Sequence, residues 1–468
     1  MLPLYTRYLT RADYGVLELL DLIWTLAALL VSVHLSGALF YYYHLANSET
    51  ERRRDLVTAL LGTLLIGLMI GIAGLAAAPS LSSLVFGSTD YTGLVRVTLL
   101  GLGCNLPAEF GLALLRLLDR PQTYLLITIG RLIANISINV SCLVYFGIGV
   151  ATMPWSSLIT TAILAVACLA WTLATYSVRC FDWSAFARMF WYGLPLGLST
   201  AGEVILHFGD RLFLSQTLTL GDLGLYGLAY KLGMIVAFAA LPFFQFWNAQ
   251  MVGIVRMPGG DRAYVRGATY LLGGLVAVVL NLTAFINPLL EVIAGPEFRG
   301  AGRFVPWIAL AYLVRAMGSY WSNTFLLIGR PALVAQMSWL GAISCLVGYA
   351  VLIPRLGITG AVVATHLGFG TLAFFSLWLG QRLRRFDYEY GRWAKVVVCG
   401  MLSTIPLLDT ETNVFVDRLA RGLLCVGLFP SLLVLSKFLT PDEVRFIIAS
   451  GRRLIGLVIP QEVTPEER

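Results

Sequence analysis

Long apolar runs separated by short polar segments make up the chain from residue 15 onward. Each run is about twenty residues or longer, which is the length that a helix needs to cross a bilayer. Membrane barrels would show alternating segments of about ten residues, and the runs here are continuous. We therefore predict an all-helical polytopic membrane protein. The predicted spans are 15–44, 56–78, 92–116, 123–147, 153–177, 188–214, 222–247, 267–294, 303–328, 331–353, 358–382, 394–410 and 418–437.

The composition is that of a chain embedded in lipid. Of its 468 residues, 58% are hydrophobic and 13% are charged, and the mean hydropathy is +0.79. Soluble globular proteins carry about 25% charged residues, so this composition excludes a soluble fold. The seven cysteines are scattered without a CxxC pair, which indicates apolar packing and neither a disulfide framework nor a metal site.

The two halves of the chain share short motifs in the same order. Internal duplication in an apolar chain is typical of transporters whose substrate path lies between two similar lobes. Each motif recurs at an offset of 209 or 210 residues: Leu9-Thr10-x-x-Asp13-x-Gly15 as Leu218-Thr219-x-x-Asp222-x-Gly224, Arg120-Pro121 as Arg330-Pro331, and Gly147-Ile148 as Gly357-Ile358.

This repeat predicts the domain organisation. Residues 1–180 form an N-terminal lobe with the end of one helix and five complete helices, and 188–385 form a six-helix lobe. Two further helices occupy 394–437, and a tail at 438–468 begins with an interfacial helix capped by Thr440. Because six is an even number, the two lobes share one orientation. The first lobe lacks most of its first helix, so either the reading frame begins upstream, which we expect, or the chain is a fragment.

The distribution of basic residues predicts the orientation. Twenty-one of the 33 Lys and Arg residues lie in one set of alternating loops and in the tail, and six lie in the opposite set. Cytoplasmic loops carry the excess of Lys and Arg, so the C-terminus should be cytoplasmic. The remaining six lie within spans.

Four segments of the chain form a set of recognisable motifs. They are Pro3-Leu-Tyr-Thr-Arg-Tyr-Leu-Thr-Arg-Ala-Asp-Tyr-Gly-Val-Leu-Glu18, Asp210-Arg-Leu-Phe-Leu214, Gly224-Leu-Tyr-Gly-Leu-Ala-Tyr-Lys231 and Gly357-Ile-Thr-Gly-Ala361. These segments resemble the polysaccharide-transporter branch of the MOP superfamily, which includes oligosaccharide flippases, the lipid II flippase and the MATE antiporters. The resemblance spans nearly the whole chain and departs from the family at the N-terminus, where most of the first helix is lacking.

The resemblance implies fourteen helices in two V-shaped six-helix bundles, and alternating access. It implies a flippase in the bacterial cytoplasmic membrane that carries an undecaprenyl-diphosphate-linked oligosaccharide to the outer leaflet for surface polysaccharide biosynthesis. The partners would be this substrate, membrane lipids, a polysaccharide polymerase and the chain-length machinery, without nucleic acid. We expect no enzymatic activity and no cofactor.

Cations within the spans are candidates for binding the diphosphate. An ionised side chain at mid-helix costs roughly 2.5–3.5 kcal/mol on insertion scales, so it is usually functional or paired. Arg holds phosphate oxygens bidentately and Lys acts as a point charge. Arg315 and Lys231 lie deepest; Arg131 is a further candidate, and Arg211, near the end of its span, could also extend to the interface.

Acidic groups in the spans are candidates for coupling transport to H⁺ or Na⁺. Glu203, His207 and Arg211 share one helix face at i, i+4 and i+8, with Asp210 adjacent. The same spacing also fits a structural ion-pair ladder among these groups. Weaker candidates are Glu109, Glu18 and Asp21.

Aromatic and amide side chains near these cations are candidates for contacting the glycan. An aromatic stripe is also typical of packing or of an interfacial belt. The candidates are Tyr226, Tyr230, Trp321 and Asn323.

Two alternatives have distinct signatures. A membrane glycan polymerase or ligase would place reactive side chains on a sizeable outer loop, and the outer loops here are short. There is also no GxxxxGK[ST] motif for binding ATP. An ion-coupled MATE-type exporter of small molecules would share the fold, but acids should dominate its cavity, whereas this chain offers Arg and Lys.

Overall fold

The computed structural model describes residues 2–31, 35–46, 48–175, 181–407, 415–440 and 443. Within these residues all regular structure is helical, which confirms the predicted fold class. The helices are α1 Leu2–Tyr8, α2 Arg11–Val31, α3 Leu35–Leu45, α4 Glu49–Phe86, α5 Thr92–Leu117, α6 Pro121–Val140, α7 Thr152–Thr175, α8 Trp183–Thr217, α9 Leu220–Gly233, α10 Ile235–Arg256, α11 Gly260–Ile293, α12 Val305–Leu327, α13 Ala332–Leu356, α14 Ile358–Leu383, α15 Tyr390–Ser403 and α16 Phe415–Leu435.

Nine helical stretches in the described part of the chain are long and apolar enough to cross a membrane. The predicted spans fall on helices, and the span at 222–247 is divided between α9 and the first half of α10. Of the span predicted at 15–44, the structure describes α2 and α3. The predicted tail helix falls on residues outside those described, apart from Glu443.

Helix α4 is longer than its apolar run because polar caps, and not hydrophobicity, determine its ends. It contains 38 residues. The Ser48 hydroxyl accepts a hydrogen bond from the backbone N–H of Glu51 at 3.2 Å, which caps the N-terminus. At the other end Gly87 adopts a left-handed conformation with φ of 70°, which terminates the helix.

The internal repeat is visible where α2 contacts α9. Thr10 and Thr219 cap these helices in the same way, each bonded to the Asp three residues later. A Cβ atom on Gly15 would lie 1.9 Å from the carbonyl oxygen of Leu220, and one on Gly224 would lie 2.1 Å from that of Arg11. At the offset of 209 these two contacts are each other's equivalents. The two helices are therefore related by a local twofold axis and pack backbone to backbone.

The chain forms two compact units. The first contains Met1–Ile235 and Leu289–Arg384, and the second contains Val236–Pro288 and Arg385–Arg468. Every candidate site residue predicted from the sequence belongs to the first unit. The domain boundaries derived from the repeat stay a prediction.

The second unit has a polar cluster of its own around Arg392. The guanidinium lies 3.0 Å from the Glu443 carboxylate and 2.9 Å from that of Glu389. Burial opposes ionisation of Glu443, but hydrogen bonds from Tyr270, the Thr440 backbone N–H and Arg392 outweigh it and lower the pKa of this carboxyl to about 2. Glu443 is therefore a stable anion that connects the tail to α15.

Candidate functional site

The centre of the candidate site is Glu18 of α2, which binds one cation from α8 and one from α9. Arg211 of α8 places Nε 3.0 Å from Glu18 Oε2, and Lys231 of α9 places Nζ 2.7 Å from Oε1. The side chains of Glu18 and Arg211 are 1% and 2% exposed, whereas that of Lys231 is 37% exposed. Lys231 is thus the accessible cation of the pair, and Arg211 is enclosed.

Two further carboxylates complete this cluster. Arg211 Nη1 lies 3.2 Å from Asp210 Oδ1, and the Tyr226 hydroxyl donates to Asp210 Oδ2. Asp21 lies 3.6 Å from Lys231 Nζ. We name these five ionisable residues the outer cluster: Glu18, Asp21, Asp210, Arg211 and Lys231.

A glycine at a close helix contact leaves room for the outer cluster. A Cβ atom on Gly227 of α9 would lie 2.3 Å from the carboxyl carbon of Glu18, so only glycine at this position leaves space for the Glu18 side chain. Aromatic rings enclose the cations: Arg211 lies 4.6 Å from the Tyr230 ring centroid, and Lys231 lies 5.0 Å from that of Tyr14. Such contacts stabilise a desolvated cation.

The outer cluster contains one more carboxylate than cations. If all five residues were ionised, the cluster would hold a net negative charge in an apolar surrounding, which is costly. A proton or a bound cation would remove this imbalance. Asp21 is the exposed carboxylate, with 36% of its side chain accessible, and it lines a cavity of about 140 Å³ with Trp24, Thr98 and Ser157.

A second polar contact joins α8 to α12 and α13. Glu203 forms an ion pair with Arg315 and accepts a hydrogen bond from the Ser338 hydroxyl at 2.8 Å. One turn along, His207 Nδ1 lies 2.8 Å from the Tyr312 hydroxyl. The side chains of Arg315 and Glu203 are 19% and 38% exposed.

The three side chains of the predicted polar face of α8 contact other helices. Glu203 and His207 bind side chains of α12, and Arg211 binds Glu18 of α2. Along the face itself, Arg211 Nη1 donates to the His207 carbonyl oxygen at 3.1 Å. The structure also buries Arg211 and leaves it no extension to the interface, because Glu18 and Asp210 hold it inside.

Arg131 lies apart from both groups, on α6. Its guanidinium donates to Glu109 at 2.8 Å and to Asn105 at 2.9 Å, both on α5. The side chains of Arg131 and Glu109 are 26% and 53% exposed. Arg131, Arg211, Lys231 and Arg315, the four cations predicted as phosphate ligands, thus each pair with a carboxylate in this conformation.

The four predicted glycan contacts occupy different environments. Tyr226 and Tyr230 are almost fully buried against Asp210 and Arg211. Trp321 and Asn323 lie farther along α12 than Arg315; Trp321 is half-buried and Asn323 is buried.

Sequence reasoning missed several partners of these charges. For Tyr312 the sequence offered an indication, since this residue lies one turn from Arg315 on the same helix. For Tyr14 the indication was weaker, namely its position next to Asp13 of the repeated motif. Ser338 and Asn105 had none, because a single hydroxyl or amide in an apolar run does not indicate which helix it contacts.

Comparison with known protein families decides the identity of the chain. The profile of the family described as "Polysaccharide biosynthesis protein" matches residues 4–240, which is half of the chain. The chain belongs to this family. The match covers α2, α8 and α9, the helices that carry the outer cluster.

One curated relative is an uncharacterized membrane protein of Methanocaldococcus jannaschii. It is 24% identical over 278 residues, which are 56% of this chain and 53% of the relative. The family member described here thus spans about half the length of that curated relative.

Solved structures of the MOP superfamily share the fold. An inward-facing MATE multidrug resistance transporter has a TM-score of 0.68 at 17% identity and covers 82% of this chain and 93% of its own. The lipid II flippase MurJ in an inward closed conformation has a TM-score of 0.60 at 13% identity and covers 91% and 97%. A MOP transporter from Pyrococcus furiosus, whose binding pocket is described as reversed in polarity, has a TM-score of 0.51 at 16% identity, with 80% and 90% covered. The chain therefore has the fold of these MOP-type structures.

Proposed function

We propose that this transporter moves an undecaprenyl-diphosphate-linked oligosaccharide from the cytoplasmic to the outer leaflet of a bacterial cytoplasmic membrane. The observation that supports this most is the pairing of Lys231 and Arg315 with carboxylates inside one compact unit. Both cations are partly accessible, at 37% and 19% of their side chains. An anionic headgroup that reached them would bind cations that are already partly desolvated.

We propose that the diphosphate binds by replacing the carboxylate partners of Arg315 and Lys231. A diphosphate carries more negative charge than the single carboxylate that it displaces, and hydrogen bonds to charged groups contribute about 1.5–3 kcal/mol each. Glu203 would release Arg315 and Asp21 would release Lys231. Trp321, Asn323 and, once α9 moves, Tyr226 and Tyr230 would then face the glycan.

Coupling to an ion gradient follows from the excess carboxylate of the outer cluster. A proton or Na⁺ that binds Asp21 or Glu18 neutralises the group that holds Lys231. Lys231 then binds phosphate, and loss of the ion restores the carboxylate pair and expels the headgroup. Glu203, His207, Asp210 and Glu109 are the other carboxylates and imidazole available for this role.

The proposal includes an orientation and partners. The basic loops and the C-terminal tail face the cytoplasm, where the lipid-linked sugar is assembled. A polysaccharide polymerase and the chain-length machinery would receive the substrate on the other side. No chemical step on the glycan is assigned to this chain.

The first test is complementation of a flippase-deficient host at matched membrane expression. Lys231→Ala and Arg315→Ala should each lower glycan export about tenfold or more, since one lost charge-assisted contact corresponds to 1.4 kcal/mol or above. Arg303→Ala, which removes an exposed cation outside the site, should export at the wild-type level. Wild-type export by both site variants would reject the proposal.

The same strains distinguish the proposed function from the alternative, an ion-coupled exporter of small molecules. An ion-coupled exporter of small molecules would lower sensitivity to cationic dyes and would leave glycan export unrestored. We expect the opposite result for both measurements.

A further inference from the structure

A long apolar groove lies between α5, α6 and α7, away from both charged groups. Its volume is about 530 Å³. Most of its wall is aliphatic or aromatic, with Leu115, Ile127 and Trp171 as representative members. Its polar lining includes Arg120, Thr123, Thr160 and Arg131, and Arg131 is paired with Glu109. All three helices are apolar enough to span the membrane, so the groove lies at the depth of the lipid chains.

The length of this α5–α7 groove exceeds one leaflet. The lining positions on α6 run from Thr123 to Ile138, which corresponds to about 22 Å along a helix. A hydrocarbon core is about 30 Å thick, so the chains of one leaflet extend over about 15 Å. A single chain that fills the groove from one end therefore passes the bilayer midplane, which favours a hydrocarbon longer than the chain of an ordinary phospholipid.

One end of the groove carries cations. Arg120, directly before α6, lines the groove and is exposed, and Arg116 lies one turn earlier with its guanidinium 5.4 Å from the Tyr124 ring centroid. In the described part of the chain neither guanidinium forms an ion pair with a carboxylate, unlike Arg131, which Glu109 neutralises. This end therefore suits an anionic headgroup, and the apolar wall beyond it suits a chain.

We propose that the α5–α7 groove binds the polyprenyl chain of a phosphate-bearing lipid carrier, with its phosphate at Arg116 and Arg120. This proposal rests on the proposed function, which names such a carrier as part of the substrate. The groove holds the chain in one place while the headgroup moves to the interior cations. A glycan does not fit this wall, because its hydroxyl groups would find few partners there.

Gly130 offers a direct way to fill the groove. It lines the groove, and a Cβ atom built on it meets no atom within 4 Å, so a larger side chain projects into open space. Gly274 on α11 is the matched control, because it also has no atom within 4 Å and does not line the groove. Any general effect of replacing a helical glycine would appear in both variants.

The experiment is photolabelling of the full chain in lipid vesicles with two probes. One is a polyprenyl monophosphate with a diazirine on its chain, and the other is a phosphatidylglycerol with a diazirine on an acyl chain. The polyprenyl probe should label peptides of α6 and α7 at least fivefold more than the phosphatidylglycerol probe. Gly130→Leu and the double variant Arg116→Gln, Arg120→Gln should each lower this labelling about fivefold, and Gly274→Leu should not.

Equal labelling by the two probes, or unchanged labelling of Gly130→Leu, would overturn the groove proposal. The probe carries no sugar and labelling requires no transport, so the result is independent of glycan export. A wild-type chain that is labelled at α6 and α7 but restores no export would support the groove and reject the proposed function instead.

Discussion

Arg211 illustrates how much of a charged residue's role depends on its partners. Its place near the end of an apolar run is compatible with a side chain that reaches the interface. The structure instead encloses it between Glu18 and Asp210, with the Tyr230 ring beside it. The spacing on α8 predicted the shared face, but the partner Glu18 lies 193 residues away, and no local pattern encodes that contact.

Removal of the Glu18 charge tests the outer cluster. Glu18→Gln should lower the free energy of unfolding by about 3–5 kcal/mol, because breaking a buried pair leaves uncompensated charge on Arg211 and Lys231. Thermal unfolding in detergent, followed by tryptophan fluorescence, measures the change. Glu49→Gln, which breaks an exposed pair with Arg53, is the control and should shift the transition little. Similar shifts in the two variants would contradict the assignment of Glu18 as the centre of the cluster.

At the scale of elements, hydrophobicity predicted where helices lie, and caps and close contacts determined their ends and pairing. The apolar run at 56–78 located α4 but not its capped extension to 38 residues. The repeated Thr-x-x-Asp motif predicted an internal repeat, and the structure shows that it caps two equivalent helix starts. That α2 and α9 pack directly on each other through Gly15 and Gly224 follows only from the structure.

Substitution of a glycine at the contact between α2 and α9 should lower the stability of the protein. Gly224→Ala should destabilise the protein by roughly 1–3 kcal/mol, because the new Cβ atom forces apart two backbones and opens space beside Glu18. Gly370→Ala on α14 is the control, since a Cβ atom there meets no atom within 4 Å. It should be neutral or slightly stabilising, as alanine is favoured over glycine in a helix. The comparison uses the same unfolding assay, and a neutral Gly224→Ala would disprove a close backbone contact.

For the whole molecule, composition and repeat predicted a helical membrane transporter before any coordinates, and the motifs predicted its family. The arrangement of the site followed less from the sequence. Six intramembrane cations could be counted, but Arg211, Lys231 and Arg315 pair with carboxylates of distant helices. Tyr312 and Ser338 were not anticipated. The α5–α7 groove has no sequence signature, since the sequence does not distinguish its lining residues from ordinary lipid-facing residues.

The central claim is that Lys231 and Arg315 bind the phosphate of a lipid-linked sugar during its passage across the membrane. The most direct measurement follows a fluorescent undecaprenyl-diphosphate oligosaccharide in vesicles that contain the purified chain, with an impermeant quencher reporting its leaflet. We predict rapid transfer by the wild type and at least tenfold slower transfer by the double variant Lys231→Ala, Arg315→Ala. Equal rates for the two proteins, or a wild-type rate no greater than that of empty vesicles, would contradict the account.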